Sequence, residues 1–312
     1  MHAGHTEAAL PSSPSLLDCV IIGAGAAGLT AAVYLARFRR CIAVIDGNAS
    51  RLLAIPASHN YPGFADGIHG EELLSRLRRH AAHYGVRSTP GTVETLERLD
   101  DGSFIARCGK QQWHARTVIL ATGVTDVEPD FPDVKRAVAE GFVRYCPVCD
   151  GFEAISKKVA VIGHGKGGLA EALFVRHFAD AVSLLTLDDP FDLDEKEQLR
   201  LGQAQVQAVH VPVARLAFDN AGVMQVNLDD GRRLSFDVVY VALGTLVNSG
   251  LAQVLGAQCT ARGELVVDAH QESSMPGLYA AGDLVKGLNQ ITVAMGHAAI
   301  AATAIHNRLG RE

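Results

Sequence analysis

The stretch that decides the fold is "CVIIGAGAAGLTAAVYLARF", residues 19–38. It predicts a short buried strand over 19–22, a turn that contains three glycines, and a helix that continues to Phe38. The stretch "CIAVID", residues 41–46, predicts a second strand that ends at Asp46. A strand, a glycine turn, a helix and a strand ending in an acid are the context of a dinucleotide-binding fingerprint.

The glycines of this turn stand at Gly23, Gly25 and Gly28, which is the G-x-G-x-x-G spacing. Glycine lets the backbone approach a pyrophosphate, and the N-terminus of the following helix faces that negative charge. Asp46 lies 18 residues after Gly28 and suits a ribose hydroxyl.

The same pattern recurs in "KKVAVIGHGKGGLAEALFVRHF", residues 157–178. The next strand is predicted as "AVSLLTLDD", residues 181–189, and ends in Asp188 and Asp189. One fingerprint is a moderate signal, whereas two in one chain are a strong one. The glycines that define the second turn are Gly163, Gly165 and Gly168.

Domain boundaries follow from paired strand endings, "TVILATG" at 117–123 and "VVYVALG" at 238–244. A later strand with an Ala-Gly-Asp turn needs a sheet to join, and the first sheet is the natural place. The alternative is that this last segment closes the second domain. We predict an α/β protein with two Rossmann-like, three-layer nucleotide-binding domains, the first discontinuous in sequence. The predicted divisions are a leader over 1–17, a first domain over 18–125 plus 246–312, and a second over 126–245.

Composition narrows the function classes. The formal net charge is −6 with mixed signs along the chain, which argues against nucleic-acid or anionic-membrane partners. Hydrophobic residues make up 48%, enough for a sizeable core. The N-terminal residues lack a signal-peptide pattern, and four of the six cysteines stand singly among apolar neighbours. These features suit a reducing, cytoplasmic location.

The stretch "RYCPVCDG", residues 144–151, raises a separate question, because Cys146 and Cys149 could be zinc ligands, a structural bridge or a redox couple. Zinc commonly takes four ligands, and only one cysteine pair is present. A structural bridge across so short a loop removes little entropy from the unfolded chain. The spacing favours a redox couple, because it can place one sulfur at a helix N-terminus. A thiol at that position has a lowered pKa and becomes a thiolate nucleophile. Asp150 follows directly, where it could move a proton or cap the helix.

In combination these features resemble the low-molecular-weight thioredoxin reductases, which are flavoprotein disulfide oxidoreductases of the pyridine nucleotide-disulfide family. The resemblance covers nearly the whole chain after residue 17 and implies FAD in the first domain and the redox cysteines in the second. The segments that carry it are "GAGAAG" at 23–28, "HNYPGF" at 59–64, "ATG" at 121–123, "CPVCDG" at 146–151 and "AGD" at 281–283.

The resemblance also implies residue roles. Cys149 would face the flavin, Cys146 would attack a disulfide substrate and Asp150 would be the acid–base. Asn60 would lie near the isoalloxazine, although a turn role before Pro62 stays open. The implied cofactor-binding residues are Gly23, Gly25, Ala26, Ala27, Gly28, Asp46, Asn60, Thr122, Gly123, Gly282, Asp283, Gln290 and Ile291. A thioredoxin-like protein or a small dithiol is the implied substrate, and a homodimer is the implied assembly.

The chain departs from the family at the second fingerprint, where a 2′-phosphate needs arginine near the end of the next strand. Asp188 and Asp189 stand there instead, and the first basic residue is Lys196. His164 and Lys166 add bulk or charge within the glycine loop. NADPH, NADH and no nicotinamide donor at all therefore stay open.

Three functions follow from these patterns: an FAD disulfide reductase, an FAD dithiol oxidase or protein-fed reductase with a vestigial NADPH site, and a non-enzymatic redox sensor. The intact cysteine pair and first fingerprint place the sensor last. For the oxidase, His297 is a candidate base near the flavin, and its alternative is a packed helix histidine.

Overall fold

The computed structural model describes residues 16–188, 191–218 and 223–310. The strands are β1 (Leu17–Ile22), β2 (Ile42–Asp46), β3 (Ser88–Pro90), β4 (Thr95–Arg98), β5 (Phe104–Cys108), β6 (Gln111–Leu120), β7 (Val124–Asp126), β8 (Val143–Arg144), β9 (Lys158–Gly163), β10 (Ala181–Leu185), β11 (Val206–Val209), β12 (Val213–Phe218), β13 (Met224–Leu228), β14 (Arg233–Phe236), β15 (Val238–Ala242), β16 (Thr245–Val247) and β17 (Leu278–Ala280). The α-helices are α1 (Ala26–Arg37), α2 (Gly70–His83), α3 (Val134–Ala139), α4 (Pro147–Asp150), α5 (Gly165–Val175), α6 (Glu195–Gln203), α7 (Gly250–Val254) and α8 (Ile291–Leu309), with 3-10 turns at Arg51–Ala54 and Phe152–Ala154.

The first sheet is built around β1, which pairs in parallel with β2 on one side and β6 on the other. The side chains from Val20 to Ile22 are buried, as expected of a parallel strand covered on both faces. Near the C-terminus, β17 pairs in parallel with β6 and so joins this same sheet. The sheet is extended by β3 beside β2 and by the antiparallel strands β5 and β4 beyond β6.

The second sheet repeats this arrangement around β9, which pairs in parallel with β10 and β15. The outer strands are β11 and β8, giving the order β11-β10-β9-β15-β8. Strands β12, β13 and β14 form a separate antiparallel sheet, and β7 pairs with β16. Each of the two main sheets has a parallel centre, in which a strand leads through a glycine turn into a helix. This arrangement confirms the predicted α/β fold class with two Rossmann-like domains.

Contacts group the described residues into two compact units. The first contains residues 16–49, 77–123 and 249–310, and the second contains 50–76, 124–188, 191–218 and 223–248. No helix of the described residues is both long and apolar enough to cross a membrane.

Several predicted boundaries differ from the structure. β1 begins at Leu17, two residues before the predicted start at Cys19, and α1 ends at Arg37 rather than Phe38. The prediction that the strand from Ala181 runs to the paired acids was wrong, because β10 ends at Leu185. The carbonyl oxygen of Thr186 accepts a hydrogen bond from Val213, so the chain has already left the ladder. Residues 1–15 of the predicted leader, and Asp189, lie outside the described residues.

Candidate active site

The cysteines of the C-x-x-C stretch form a disulfide, with Cα atoms 5.3 Å apart. Cys146 is the N-cap of α4, and Pro147 occupies the first helical position. The N–H of Cys149 donates to the carbonyl oxygen of Cys146 at 2.9 Å, which holds both cysteines on one turn. The pair is therefore oxidised, which is one of the two states of a redox couple. Among the residues that the structure describes, no group of three or more histidines, cysteines or acids could hold a metal ion.

Asp150, the last residue of α4, is held by two side chains from the sheet beneath. The Tyr240 hydroxyl lies 2.8 Å from Asp150 Oδ1 and 3.0 Å from its carbonyl oxygen. Arg144 donates through Nη1 to the same carbonyl oxygen at 2.9 Å, and its Nε lies 3.8 Å from Oδ2. The carboxyl of the residue that follows Cys149 is thereby fixed in one orientation.

Burial raises the pKa of the Asp150 carboxyl, and the negative charge of Glu153 adds to that effect. Arg144 and the Tyr240 hydroxyl act in the opposite direction, because both stabilise the carboxylate. On the neighbouring helix α5, burial and the charge of Asp150 together raise the pKa of Glu171 to about 8. A carboxyl with a raised pKa holds a proton closer to neutral pH and can serve as a general acid.

The disulfide is bordered by Asn60 and by exposed apolar side chains. The Asn60 amide donates to the carbonyl oxygen of Val148, between the two cysteines, at 3.2 Å. Phe152 is 72% exposed, and Val148 and Ile155 are also exposed. These exposed side chains, close to the cysteines in the chain, offer apolar area to a protein that approaches the disulfide.

In the first unit, the turn after β1 is tightly packed. A Cβ on Gly23 would collide with the carbonyl oxygen of Ala121, and one on Gly28 would collide with the carbonyl oxygen of Gly23. Helix α1 begins at Ala26 with Gly25 as its N-cap, no side chain caps it, and its first turn, which includes Ala27, carries no acid. A helix N-terminus with uncapped N–H groups fits the pyrophosphate of a dinucleotide.

Asp46 ends β2 and is only 4% exposed. Its Oδ1 accepts from the N–H of Asn48 at 2.9 Å, and its Oδ2 lies 3.1 Å from Arg78 Nη2. The acid stands at the predicted place, and Arg78 compensates its charge.

Helices α1 and α8 pack side by side with their N-termini at the same end. At the C-terminal ends the rings of Phe38 and His306 stack, with centroids 4.4 Å apart. At the N-terminal ends, a Cβ on Gly282 would lie 3.1 Å from Ala27 Cβ and 3.8 Å from Ala294 Cβ. The structure thus brings the first glycine turn and the Ala-Gly-Asp turn together.

Four other predicted residues border this region. Gln290 is the N-cap of α8 and Ile291 its first residue, and no side chain caps that helix either. Gly123 follows Thr122 after β6 and has φ +62°, a conformation that favours glycine. Together with the uncapped start of α1, these positions give a donor set that fits FAD.

His297 lies on α8, and its Nδ1 is buried with no hydrogen-bond partner among the described residues. Burial lowers the pKa of this imidazole, although the charge of Asp283 opposes the shift. An imidazole of lowered pKa that interacts with Asp283 is consistent with either a base or a packed histidine.

The second glycine turn leads into α5, with His164 as the N-cap and Lys166 exposed on the first turn. His164 Nε2 lies 3.9 Å from Asp188 Oδ2, and the Asp188 side chain is 79% exposed. A carboxylate close to this loop would repel a 2′-phosphate.

The sequence patterns missed Arg144, Tyr240 and Glu171 as functional residues. Each is a polar residue in an apolar setting: Tyr240 lies inside "VVYVA" and Glu171 inside "GLAEALFV". A polar residue within an apolar segment is visible in the sequence. Apolar strands and helices often tolerate one such residue, however, so the pattern alone indicates no particular site.

Comparison with known proteins places these features in a family. The family described as pyridine nucleotide-disulphide oxidoreductase matches residues 17–298. The chain is 30% identical over 307 residues to thioredoxin reductase from Bacillus subtilis (strain 168), covering 95% of this chain and 96% of that protein. It is 29% identical over 300 residues to thioredoxin reductase from Treponema pallidum (strain Nichols), covering 92% and 95%. The crystal structure of thioredoxin reductase from Streptococcus pyogenes MGAS5005 matches with a TM-score of 0.88 at 27% identity, covering 96% of this chain and all of that one.

Proposed function

This chain belongs to the pyridine nucleotide-disulphide oxidoreductase family and is an FAD-dependent disulfide oxidoreductase, and we propose that its substrate is the disulfide of a thioredoxin-like protein. The observation that carries the proposal is the Cys146–Cys149 disulfide, followed directly in the chain by Asp150, whose carboxyl is held by Tyr240. Both cysteines are partly exposed, so an external thiolate can reach a sulfur of the pair.

The FAD site is assigned to residues 18–125 with 246–312, and the C-x-x-C pair to an NAD(P)-binding-like domain over 126–245. FAD, when bound, supplies a two-electron carrier. The turn from Gly23 to Gly28, with Ala26 and Ala27, would hold its pyrophosphate, and Asp46 its adenosine ribose. The remaining contacts would come from Asn60, Thr122, Gly123, Gly282, Asp283, Gln290 and Ile291.

The thiol–disulfide exchange uses three residues of the chain, Cys146, Cys149 and Asp150. In the reduced enzyme, Cys146 attacks the partner disulfide and forms a mixed disulfide. Cys149 then attacks Cys146 Sγ, so the enzyme disulfide forms again and the partner leaves as a dithiol. Asp150 donates a proton to the departing thiolate. Two electrons pass from the enzyme dithiol to the partner disulfide.

A protein substrate is favoured by the apolar surface of Phe152, Val148 and Ile155, because a small dithiol needs no such area. The assembly is proposed to be a homodimer in the cytoplasm, as the family resemblance implies. Neither nucleic acid nor a membrane is proposed as a partner.

A second candidate is favoured by the pair of His164 and Asp188 at the second glycine loop. If this loop accepts no nicotinamide, the chain would be a dithiol oxidase that passes electrons to oxygen, or a reductase fed by another protein. A third possibility is that the loop binds NADH instead of NADPH, with Asp188 accepting a hydrogen bond from the ribose.

The test is an anaerobic titration of the purified holoenzyme with NADPH, NADH and dithiothreitol, followed by the loss of flavin absorbance. Bleaching by dithiothreitol that disappears in Cys149→Ser supports the proposed route. Bleaching by NADPH would show that the protein is a reductase with NADPH as its electron donor. Bleaching by NADH alone would support the role of Asp188 in binding the NADH ribose. Bleaching by the dithiol and by neither nucleotide favours the second candidate. Flavin that dithiothreitol fails to bleach in the wild type contradicts the proposed function.

A further inference from the structure

Arg144 and Tyr240 come from neighbouring parallel strands in the second unit. They are direct partners in the register of β8 and β15, so their side chains leave the sheet side by side. Arg144 Nη1 also lies 3.4 Å from the Tyr240 hydroxyl. The Arg144 and Tyr240 side chains therefore form a hydrogen-bonded pair beneath α4, the helix that carries Cys149.

The Arg144–Tyr240 pair holds Asp150 by both its backbone and its side chain. Arg144 bonds the carbonyl oxygen of Asp150, and Tyr240 bonds the carboxylate. Tyr240 is fully buried and the Arg144 side chain is 13% exposed, so neither has room to reorient. A hydrogen bond to a charged group in such a setting is stronger than an exposed one.

The charges around Asp150 oppose one another. Arg144 and Tyr240 favour its carboxylate, whereas burial and Glu153 favour its protonated form. On α5, burial and, to a smaller extent, the charge of Asp150 raise the pKa of Glu171. Without the arginine and the phenol, the pKa of Asp150 would rise further, so its proton would leave less readily.

We propose that Arg144 and Tyr240 are positioning residues for thiol–disulfide exchange, which hold the Asp150 carboxyl so that one proton passes between it and a cysteine sulfur. This rests on the proposed function. When an external dithiol reduces the enzyme, the Cys146–Cys149 bond breaks and a disulfide forms in the substrate. Two electrons move to the cysteines. Asp150 protonates the released thiolate and regains its proton from the second substrate thiol.

The experiment measures the rate of flavin bleaching by dithiothreitol in the anaerobic holoenzyme between pH 6 and 9. Tyr240→Phe keeps the buried ring and removes only the hydroxyl. We expect a decrease of about tenfold at pH 7, a fraction of the usual effect of general acid catalysis. The pH midpoint assigned to Asp150 should rise, because its carboxylate has lost a donor. Arg144→Lys should retain more activity than Arg144→Gln.

The matched control is Tyr279→Phe, which removes the hydroxyl of another buried tyrosine in the first unit. It should leave both the rate and the pH midpoint unchanged. In an Asp150→Asn background, Tyr240→Phe should cause no further loss, because the two residues act through one proton. If Tyr240→Phe keeps the wild-type rate and midpoint while the wild type bleaches, the positioning role is overturned and the proposed function stands. If the wild type does not bleach, both are overturned.

Discussion

The side-chain amide of Asn60 donates a 3.2 Å hydrogen bond to the carbonyl oxygen of Val148, which lies between the two redox cysteines. Ser58 Oγ in turn lies 3.1 Å from Asn60 Oδ1, so the amide is oriented from behind. The segment that carries "HNYPGF" therefore supports the loop that exchanges electrons.

Asn60→Ala should loosen the cysteine loop. A hydrogen bond of this kind contributes about 0.5–1.5 kcal/mol, so amide exchange over residues 146–151 should accelerate about twofold to tenfold. Hydrogen–deuterium exchange with mass spectrometry measures this directly. Asn227→Ala, on β13, is the control and should leave the exchange of 146–151 unchanged. Equal exchange in Asn60→Ala and wild type would show that the bond does not restrain the loop.

Arg51 and Asp126 form a two-pronged ion pair, with Nε 2.8 Å from Oδ2 and Nη2 2.6 Å from Oδ1. Both side chains are partly buried. Arg51→Lys keeps the positive charge but can make only one of the two hydrogen bonds to Asp126. We therefore expect the free energy of unfolding of the second unit to decrease by about 1–2 kcal/mol. The shift in the urea unfolding midpoint checks this. Arg232→Lys, which changes an exposed pair with Asp230, should shift the midpoint far less.

Sequence patterns predicted the two glycine turns and the cysteine pair, because each depends on residues that are close in the chain. Gly28 must lie against the backbone of Gly23, and that requirement is visible in the G-x-G-x-x-G spacing alone. The C-x-x-C pair needs only one turn of helix to bring its sulfurs together.

The support around Asp150 could not be predicted in this way. Tyr240 reaches Asp150 across 90 residues, and Asn60 reaches Val148 across 88. Both contacts depend on strand register and loop placement rather than on local pattern. The end of β10 was misjudged for a related reason: Thr186 is buried like a strand residue, but its carbonyl bonds Val213 instead of the sheet.

Glu171 should make stability depend on pH. Its pKa is raised from 4.5 to about 8 in the folded chain, so the folded state binds the proton more tightly than the unfolded state. Stability is therefore unaffected by this group below pH 4.5 and falls as pH rises from 4.5 to about 8. Glu171→Gln removes the ionisation, and we expect a gain of about 4 kcal/mol at pH 8 and of less than about 1 kcal/mol at pH 5.

Thermal unfolding midpoints of the holoenzyme at pH 5, 6, 7 and 8 measure this effect. Glu94→Gln is the control, because its side chain is exposed, and its difference from wild type should be the same at each pH. A Glu171→Gln variant that follows the wild-type curve would mean that Glu171 ionises freely in the folded protein.

Gly28→Ala should abolish FAD binding. The added Cβ collides with the carbonyl oxygen of Gly23, which is backbone and cannot move aside without deforming the turn that would hold the pyrophosphate. We expect purified Gly28→Ala to lack the flavin absorbance while Gly202→Ala, on α6 in the second unit, retains it. Gly202 has open space around its Cβ, so alanine there should stabilise its helix by about 0.5–1 kcal/mol. Flavin bound stoichiometrically to Gly28→Ala would place the cofactor away from this turn.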